Sequence, residues 1–99
     1  MNQLPKSPEE SKDPRYLEEE KLRSIVEVMV KSLVSHPEDI LVKFIRGNRT
    51  TIYQVECLQR NLGQILGTKG RNIQSLRNLV AAAAATKGFR AIVEIPYFP

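Results

Sequence analysis

The first regular feature of the chain is a stripe of apolar residues at helical spacing. It covers residues 22–34, with members three and four positions apart, and predicts an amphipathic helix that begins near Leu17. Its members are Leu22, Ile25, Val26, Met29, Val30, Leu33 and Val34. We expect the acidic residues 18–20 in the first turn, where negative charge suits the helix dipole. Pro37 pushes His36 out of helical geometry and ends the helix there.

Two segments with the character of β-strands follow this helix. Residues 40–45 are mostly β-branched, aliphatic or aromatic, and the Gly-Asn pair at 47–48 supplies a turn. Residues 50–58 alternate between apolar and polar positions, which places Cys57 on one face with the apolar residues two and four positions before it. Cys57 has no second catalytic group near it in sequence, so we interpret it as a small core residue rather than a nucleophile.

The remaining sequence predicts a pair of helices and a last strand. Asn61 is expected to cap a short helix that runs to about Leu66, and a longer helix covers about residues 71–86. The expected buried face of the longer helix consists of Ile73, Leu76, Leu79, Val80, Ala83 and Ala84. Gly88 is expected to end this helix in the left-handed conformation, and residues 89–95 form the last strand.

This order of elements predicts an α+β fold, helix–strand–strand–short helix–helix–strand. The strands on either side of the helix pair should be parallel and joined by a right-handed crossover. The result is a three-stranded mixed sheet with all three helices on one face. Residues 1–16 contain three prolines and almost no apolar side chains, so we expect a disordered tail there, before a single domain at 17–99.

Composition excludes several classes of protein. The 99 residues suffice for one small domain, and no apolar run approaches the roughly 20 residues needed to span a bilayer. One cysteine and one histidine leave no disulfide framework, zinc site or histidine-dependent triad. Residues 1–6 lack the pattern of a signal peptide. We therefore expect a cytoplasmic protein that uses no metal or cofactor and inserts into no membrane.

The charge is distributed unevenly along the chain. The net charge is +4, but residues 1–42 carry −3, whereas residues 43–90 hold nine cations against the single acid Glu56 and carry +8. The nine cations are Lys43, Arg46, Arg49, Arg60, Lys69, Arg71, Arg77, Lys87 and Arg90. Such a basic segment points to a polyanion as the partner. The alternative is a solvated basic face that binds nothing.

The most informative segment is Gly67-Thr68-Lys69-Gly70, between the two helices of the pair. Glycines at both ends permit a tight turn with positive φ and a close approach of another backbone. The next helix begins near Arg71, so its free N–H groups and positive dipole end should face an approaching ligand. Lys69 and Arg71 add positive charge, and the combination favours a phosphate. The alternative is that the glycines only join two helices at a corner.

Two nucleotide-binding motifs do not fit this segment. A P-loop requires G-x-x-x-x-G-K-[ST], whereas the chain has G-x-x-x-G-x-x-G followed by arginine. A dinucleotide site requires a preceding strand and an acidic residue about twenty positions further on. Here the preceding element is a predicted helix, and residues 71–93 hold no acid.

Residues 65–76 resemble the signature of the KH domain, (I/L/V)-I-G-x-x-G-x-x-I-x-x-(I/L). The element order resembles the type II variant of that fold, and the likeness covers about residues 17–95. It looks most like the small single-domain bacterial KH proteins of the KhpA (YlqC) family. Residues 36–40 resemble the HPEDV turn of that family, and residues 62–71 resemble its VGKVIGKQGR stretch. Thr68-Lys69 departs from its usual Lys-Gln order.

The resemblance implies single-stranded RNA bound in a groove for about four nucleotides. By the same resemblance, the RNA backbone would be clamped by Gly67, Thr68, Lys69 and Gly70, and a phosphate would be supported by Arg71. The bases would lie on an apolar floor of Ile65, Leu66 and Ile73, beside edge groups of the last strand around Arg90. No aromatic residue falls within 62–76, so base stacking should be weak and sequence specificity loose.

Two functions remain open at this point. The first is a non-catalytic RNA-binding protein that acts as an RNA chaperone or post-transcriptional regulator. The second is a protein-interaction module, because the resemblance implies homodimers and pairing with a second KH-containing protein of the Jag/EloR type in cell-envelope or division control. An enzyme is disfavoured, since the sequence offers no carboxylate pair, histidine partner or metal-ligand spacing.

Overall fold

A computed structural model describes residues 13–96 of the chain. The helices are α1 (Pro14–Leu33), α2 (Gln59–Leu66) and α3 (Arg71–Thr86), and the strands are β1 (Leu41–Arg46), β2 (Thr50–Glu56) and β3 (Arg90–Glu94). Short 3-10 turns lie at Pro37–Asp39 and Thr68–Gly70. The predicted order of elements is therefore confirmed. Residues 1–12 of the expected tail lie outside the described residues, and the division into tail and domain stays a prediction.

The three strands form one mixed sheet in the order β1-β2-β3. β1 and β2 are antiparallel, with Leu41 opposite Glu56, whereas β2 and β3 are parallel, with Thr50 opposite Arg90. Alternate residues of each strand point to the helices, and Tyr53 at the centre of the sheet is fully buried. The predicted α+β architecture, with parallel strands flanking the helix pair and three helices on one face, is confirmed.

α1 begins earlier than the stripe of apolar residues predicts. The side chain of Asp13 accepts a hydrogen bond from the backbone N–H of Arg15 at 2.9 Å, and Pro14 is the first helical residue. Aspartate as the cap followed by proline is a strong start signal. The acidic residues 18–20 therefore lie in the second turn and not in the first. α1 also ends earlier than predicted, at Leu33.

The core lies between the sheet and the helices, and Cys57 belongs to it as predicted. Burial raises the pKa of the Cys57 thiol, which keeps it protonated. Two residues predicted to be buried are instead exposed: Leu79 on α3 by 56% and Ile25 on α1 by 53%. A sheet of three strands is too narrow to cover the outer flank of both helices, so these two positions on the apolar stripes stay outside.

α2 begins two residues before its predicted cap. Asn61 is the third residue of α2 and is fully buried. Its Oδ1 accepts a hydrogen bond from the backbone N–H of Leu58 at 2.8 Å. Asn61 therefore does cap the helix, but by reaching back from inside its first turn.

A buried carboxylate fastens the start of α1 to the turn between β1 and β2. Glu19 is fully buried, and its carboxylate pairs with Nε of Arg15 at 3.1 Å and with Nε of Arg46 at 2.7 Å. The hydroxyl of Thr51 donates a hydrogen bond to the same carboxylate. Arg15 also donates to the backbone carbonyl of Asn48 at 2.9 Å. The turn is thus held by charges that compensate one another.

Candidate nucleic-acid interface

The segment between α2 and α3 is a tight loop with three residues in a positive-φ conformation. Gly67 has φ +77°, Lys69 has φ +57° and Gly70 has φ +72°. Lys69 is the one non-glycine residue with positive φ among the described residues. A side chain in this conformation costs about 1–2 kcal/mol, and such strain is often found at functional sites. We define residues 67–70 as the glycine loop.

The two glycines of this loop meet different surroundings. A Cβ at Gly67 would lie 2.6 Å from Cγ of Asn72, whereas a Cβ at Gly70 would meet only a methyl group of Ile73 at 3.9 Å. The space beside Gly67 is therefore filled by the chain itself. The space beside Gly70 is open to a ligand, as the sequence predicts for both glycines.

The backbone of the glycine loop is less available than the sequence predicts. The N–H of Gly67 donates to Gly63 at 2.9 Å, the N–H of Gly70 donates to Gly67 at 3.0 Å, and the N–H of Arg71 donates to Thr68. The expectation that the first N–H of α3 is free for an anion is therefore wrong, because the 3-10 turn that precedes α3 already uses it. An anion at this end therefore cannot use these three N–H groups without breaking the bonds they already make.

The side chains at the tip of the glycine loop are accessible. Thr68, Lys69 and Arg71 are exposed, and none of the three makes a side-chain hydrogen bond or ion pair with another residue of the described chain. An open cleft of about 480 Å³ lies beside Thr68 and Arg71. Its lining consists of Leu33, Gly63, Gln64, Gly67, Thr68, Arg71 and Asn72. Arg71 thus lines a mostly polar cleft, Lys69 lies two residues before it, and neither cation has a carboxylate partner among residues 13–96.

Two polar residues of this cleft were missed from the sequence. The side chain of Gln64 accepts from the backbone N–H of Ser35 at 2.8 Å and donates to the hydroxyl of Ser35 at 3.0 Å. Nδ2 of Asn72 donates to the backbone carbonyl of Gln64 at 2.9 Å. These bonds hold the cleft wall in place. Their only signal in the sequence is a polar amide on either side of the glycine loop.

The apolar floor predicted beside the loop is mostly inside the core. Ile65 is fully buried and Ile73 is 4% exposed, so neither offers a surface to a base. Leu66 is half-buried and packs against the core cluster. Both residues lie on the buried faces of their helices, so their side chains belong to the core and not to the surface of the loop.

Arg90 does not lie near the glycine loop. It begins β3, which follows the carboxyl end of α3, whereas the loop precedes the amino end. The 16 residues of α3 separate the two by about 24 Å, at about 1.5 Å per residue. The edge of β3 is also partly occupied, because Arg77 donates to the carbonyl of Val93 at 3.2 Å. The structure thus divides the predicted site residues between two ends of one helix.

Ion pairing sorts the cations of the basic segment. Four of the nine lie within 4.0 Å of a carboxylate: Lys43, Arg46, Arg60 and Lys87. The other five, Arg49, Lys69, Arg71, Arg77 and Arg90, have no acidic partner among residues 13–96. The uncompensated charge therefore lies at the glycine loop, along α3, at the start of β3 and in the turn between β1 and β2.

Other kinds of site find no support in the described part of the chain. Residues 13–96 contain no cluster of His, Cys, Asp or Glu side chains that could hold a metal ion. None of their helices is long and apolar enough to cross a membrane.

The chain is similar to known proteins over most of its length. The family model "KhpA/KhpB, KH domain" matches residues 23–95. The RNA-binding protein KhpA of Clostridium perfringens is 32% identical over 74 residues, which cover 75% of this chain and 99% of that protein. The RNA-binding protein KhpA of Caldanaerobacter subterraneus is 35% identical over 71 residues, which cover 72% of this chain and 95% of that protein.

A third relative gives the same picture. The RNA-binding protein KhpA of Chlamydia pneumoniae is 30% identical over 74 residues, which cover 75% of this chain and 95% of that protein. No solved structure matches the chain significantly. The KH domain is a non-catalytic domain type, so the matches also confirm the prediction that the chain is not an enzyme. The resemblance of residues 65–76 to the KH signature is confirmed, and the chain belongs to the KhpA/KhpB family of KH domains.

Proposed function

We propose that the protein binds single-stranded RNA through the glycine loop and acts on transcripts as an RNA chaperone or post-transcriptional regulator in the cytoplasm. The observation that carries this proposal is the exposed pair Lys69 and Arg71, which have no acidic partner among the described residues; Arg71 also lines an open cleft. The relatives named RNA-binding protein KhpA support the same class of ligand.

The chemistry of the loop favours contacts with the RNA backbone over contacts with bases. Lys69 and Arg71 offer charged donors to phosphate oxygens, and Thr68 adds a hydroxyl donor between the loop glycines. The open side of Gly70 lets a sugar–phosphate chain approach closely. Leu66, half-buried beside the loop, is the one residue of the predicted floor that can still contact a base. Binding should therefore tolerate many sequences.

The test of this proposal is the salt dependence of binding to single-stranded RNA. Three or four phosphate contacts predict a slope of log K against log salt of roughly −2 to −3. A fluorescent RNA is titrated by anisotropy, with a neutral polymer such as polyethylene glycol of similar length as the competitor. A flat salt dependence, or competition by the neutral polymer, would contradict the proposal.

Exposed apolar residues support self-association as a second function. Leu79 and Ile25 are more than half exposed, and Ala82 lies exposed one turn of α3 from Leu79. Large apolar side chains beside small ones allow close packing of a second copy, or of a second KH-containing protein of the Jag/EloR type that would link the protein to cell-envelope or division control. We expect a dimer in sedimentation at micromolar concentration.

The variant Leu79→Glu tests this surface. It should convert the dimer to a monomer, because a charge would be buried without a partner. Ile92→Glu is the matched control, since Ile92 is an exposed isoleucine on the opposite face of the sheet. A wild-type monomer, or equal dissociation by both variants, would contradict this assignment.

A further inference from the structure

A second group of unpaired cations lies at the carboxyl end of α3, far from the glycine loop. Arg49 belongs to the turn between β1 and β2, and Arg90 begins β3. Parallel pairing of β2 and β3 makes them neighbours, because the backbone N–H of Arg90 donates to the carbonyl of Arg49 at 3.4 Å. Both side chains are exposed, and neither guanidinium has an acidic partner among residues 13–96.

These two arginines line an open cleft of about 610 Å³. The remaining lining consists of Arg15, Thr50, Ala85, Gly88 and Phe89. Gly88 has φ +87°, and no atom lies within 4 Å of the place where its Cβ would stand. The cleft is therefore unobstructed at Gly88, where the backbone is open to a ligand. We call it the arginine cleft.

A third arginine forms a fixed wall of the arginine cleft. The guanidinium of Arg15 donates to the carbonyl of Asn48 at 2.9 Å and lies 6.0 Å from the centre of the Phe89 ring. Its Nε is paired with the buried Glu19 at 3.1 Å. Arg15 is thus held in place and compensated, whereas Arg49 and Arg90 keep their full charge. The cleft combines a rigid wall with two uncompensated cations.

We propose that the arginine cleft binds a phosphate group of an RNA strand that extends beyond the glycine loop. Arginine suits this task because its planar guanidinium can donate two parallel hydrogen bonds to phosphate oxygens. This inference rests on the proposed RNA binding and adds a second contact to it. It also gives Arg90 a role that does not require it to lie beside the loop.

The separation of the two sites sets the length of RNA that can reach both. The 16-residue length of α3 places them about 24 Å apart. At the spacing of about 3.4 Å per stacked nucleotide, that distance corresponds to about seven nucleotides. An RNA that fills only the groove at the loop, about four nucleotides, is too short to reach the arginine cleft.

The test compares two RNA lengths on the same protein. The variant Arg49→Gln with Arg90→Gln removes both uncompensated charges, and neither side chain makes a bond that the fold needs. Affinity is measured by fluorescence anisotropy for RNAs of about four and about 14 nucleotides, at salt concentrations from about 50 to 200 mM. Lys21→Gln with Lys43→Gln is the control, because it removes the same charge from α1 and from the open face of the sheet. Thermal unfolding of each variant checks that it is folded.

The expected result is a loss that depends on RNA length. For the longer RNA, the arginine variant should bind more weakly, with a salt slope shallower by about 1.4, because each phosphate contact on a single strand contributes about 0.7. The loss should therefore be about sevenfold greater at about 50 mM than at about 200 mM salt. For the short RNA, the affinity should stay unchanged, and the control variant should bind both RNAs like the wild type.

Other outcomes would overturn the inference and are distinct from a failure of RNA binding itself. Equal losses for both lengths would make the arginines part of one contact with the loop, and unchanged affinities would leave the cleft without a role in RNA binding. If the variant loses binding to a poly-glutamate peptide but keeps the longer RNA, the cleft binds an acidic protein instead. If the wild type binds neither RNA, the proposed function itself fails.

Discussion

Two glycine-containing connections of this molecule are built in opposite ways. The turn between β1 and β2, residues 47–49, is tied to α1 by Arg15, which is itself paired with the buried Glu19. The glycine loop, residues 67–70, contains Lys69 and is followed by Arg71, and neither cation has an acidic partner among residues 13–96. Glu19 compensates Arg15 and Arg46 where α1 meets the turn, although Arg49 of the turn itself has no acidic partner among residues 13–96.

The two connections differ in how they are held in place: ion pairs at α1 fix the turn, whereas no ion pair among residues 13–96 holds the glycine loop. Both segments contain glycine and basic residues, and both look like turns in the sequence. They differ in whether folding places an acidic side chain beside them. Glu19 reaches the turn from α1, but no acidic side chain among residues 13–96 reaches Lys69 or Arg71. Under the proposed function, a ligand phosphate would supply the negative charge that Lys69 and Arg71 lack.

The largest effect should come from removing the acid that ties the turn. Glu19→Gln leaves Arg15 and Arg46 without a compensating charge, and breaking a buried ion pair costs about 3–5 kcal/mol. Both arginines keep partial access to water, so we expect a loss of about 3 kcal/mol in the free energy of unfolding, measured by urea denaturation. The affinity of the folded variant for an RNA of about four nucleotides, which fills only the groove at the loop, should stay within about twofold, a free-energy change well under 1 kcal/mol.

Glu56→Gln is the control for this variant. Glu56 pairs with Lys43 at 2.8 Å, but both side chains are about half exposed, and exposed pairs contribute less than about 1 kcal/mol. If Glu19→Gln weakens binding of this short RNA while Glu56→Gln leaves it intact, the turn and the loop are coupled, and the contrast between them does not hold.

The two glycines of the loop should respond differently to alanine. Gly67→Ala places a Cβ 2.6 Å from Asn72 in a conformation that only glycine adopts readily, so the free energy of unfolding should fall by about 3 kcal/mol. Gly70→Ala meets no such clash and should cost about 1–2 kcal/mol from its positive φ alone. Thermal and urea denaturation measure both.

A second substitution identifies the cause of the larger loss. Asn72→Gly removes the whole side chain that Gly67→Ala would strike, including the Cβ at 2.8 Å, so the loss caused by Gly67→Ala, measured against Asn72→Gly alone, should be partly recovered in the double variant. Equal losses for the two single variants, or no recovery in the double variant, would mean that the filled space beside Gly67 is not what distinguishes the glycines.

The smallest expected effect is a change in stability at low pH that comes from the ion pair of Asp13 with Arg46. The hydrogen bond from Arg46 holds the pKa of Asp13 below its usual value. A carboxylate with a lowered pKa in the folded state stabilises the fold above its unfolded pKa, near 3.8, and this stabilisation is lost as the pH falls through the folded value. Asp13→Asn keeps the helix cap but lacks the charge.

Urea denaturation at neutral pH and at about pH 3 measures this effect. The wild type should lose more stability than Asp13→Asn between the two pH values, since only the wild type has this charge to lose. An identical acid dependence of the two proteins would show that the pair of Asp13 with Arg46 contributes nothing to holding the turn.

The sequence predicted the elements better than their partners. The bounds of α3 and the parallel pairing of β2 with β3 agree with the sequence, because helical period and crossover topology are local or nearly universal rules. Leu79 was expected in the core because periodicity reports which residues share a face, not how wide the opposing sheet is. Glu19 looked like its neighbours Glu18 and Glu20, and only the fold shows that it is buried.

The features of the candidate site also differ in how far the sequence predicts them. The glycine spacing and the basic charge of the loop were readable, because they depend on residue types in one short segment. The place of Arg90 was not, since it depends on the direction of β3 relative to α3. The use of the Gly70 and Arg71 N–H groups within the loop depends on the 3-10 turn at Thr68–Gly70, which the sequence alone does not predict.

The most direct test of the account is RNA affinity after Thr68→Asp with Lys69→Asp. Both side chains are exposed without internal bonds, and aspartate tolerates the positive φ of Lys69, so the thermal midpoint should barely change. Single-stranded RNA affinity should fall by at least about tenfold, because two negative charges would face the phosphates. Lys21→Asp with Ser24→Asp on α1 is the matched control and should bind like the wild type. An unchanged RNA affinity of the folded loop variant would contradict the claim that the glycine loop binds the RNA backbone.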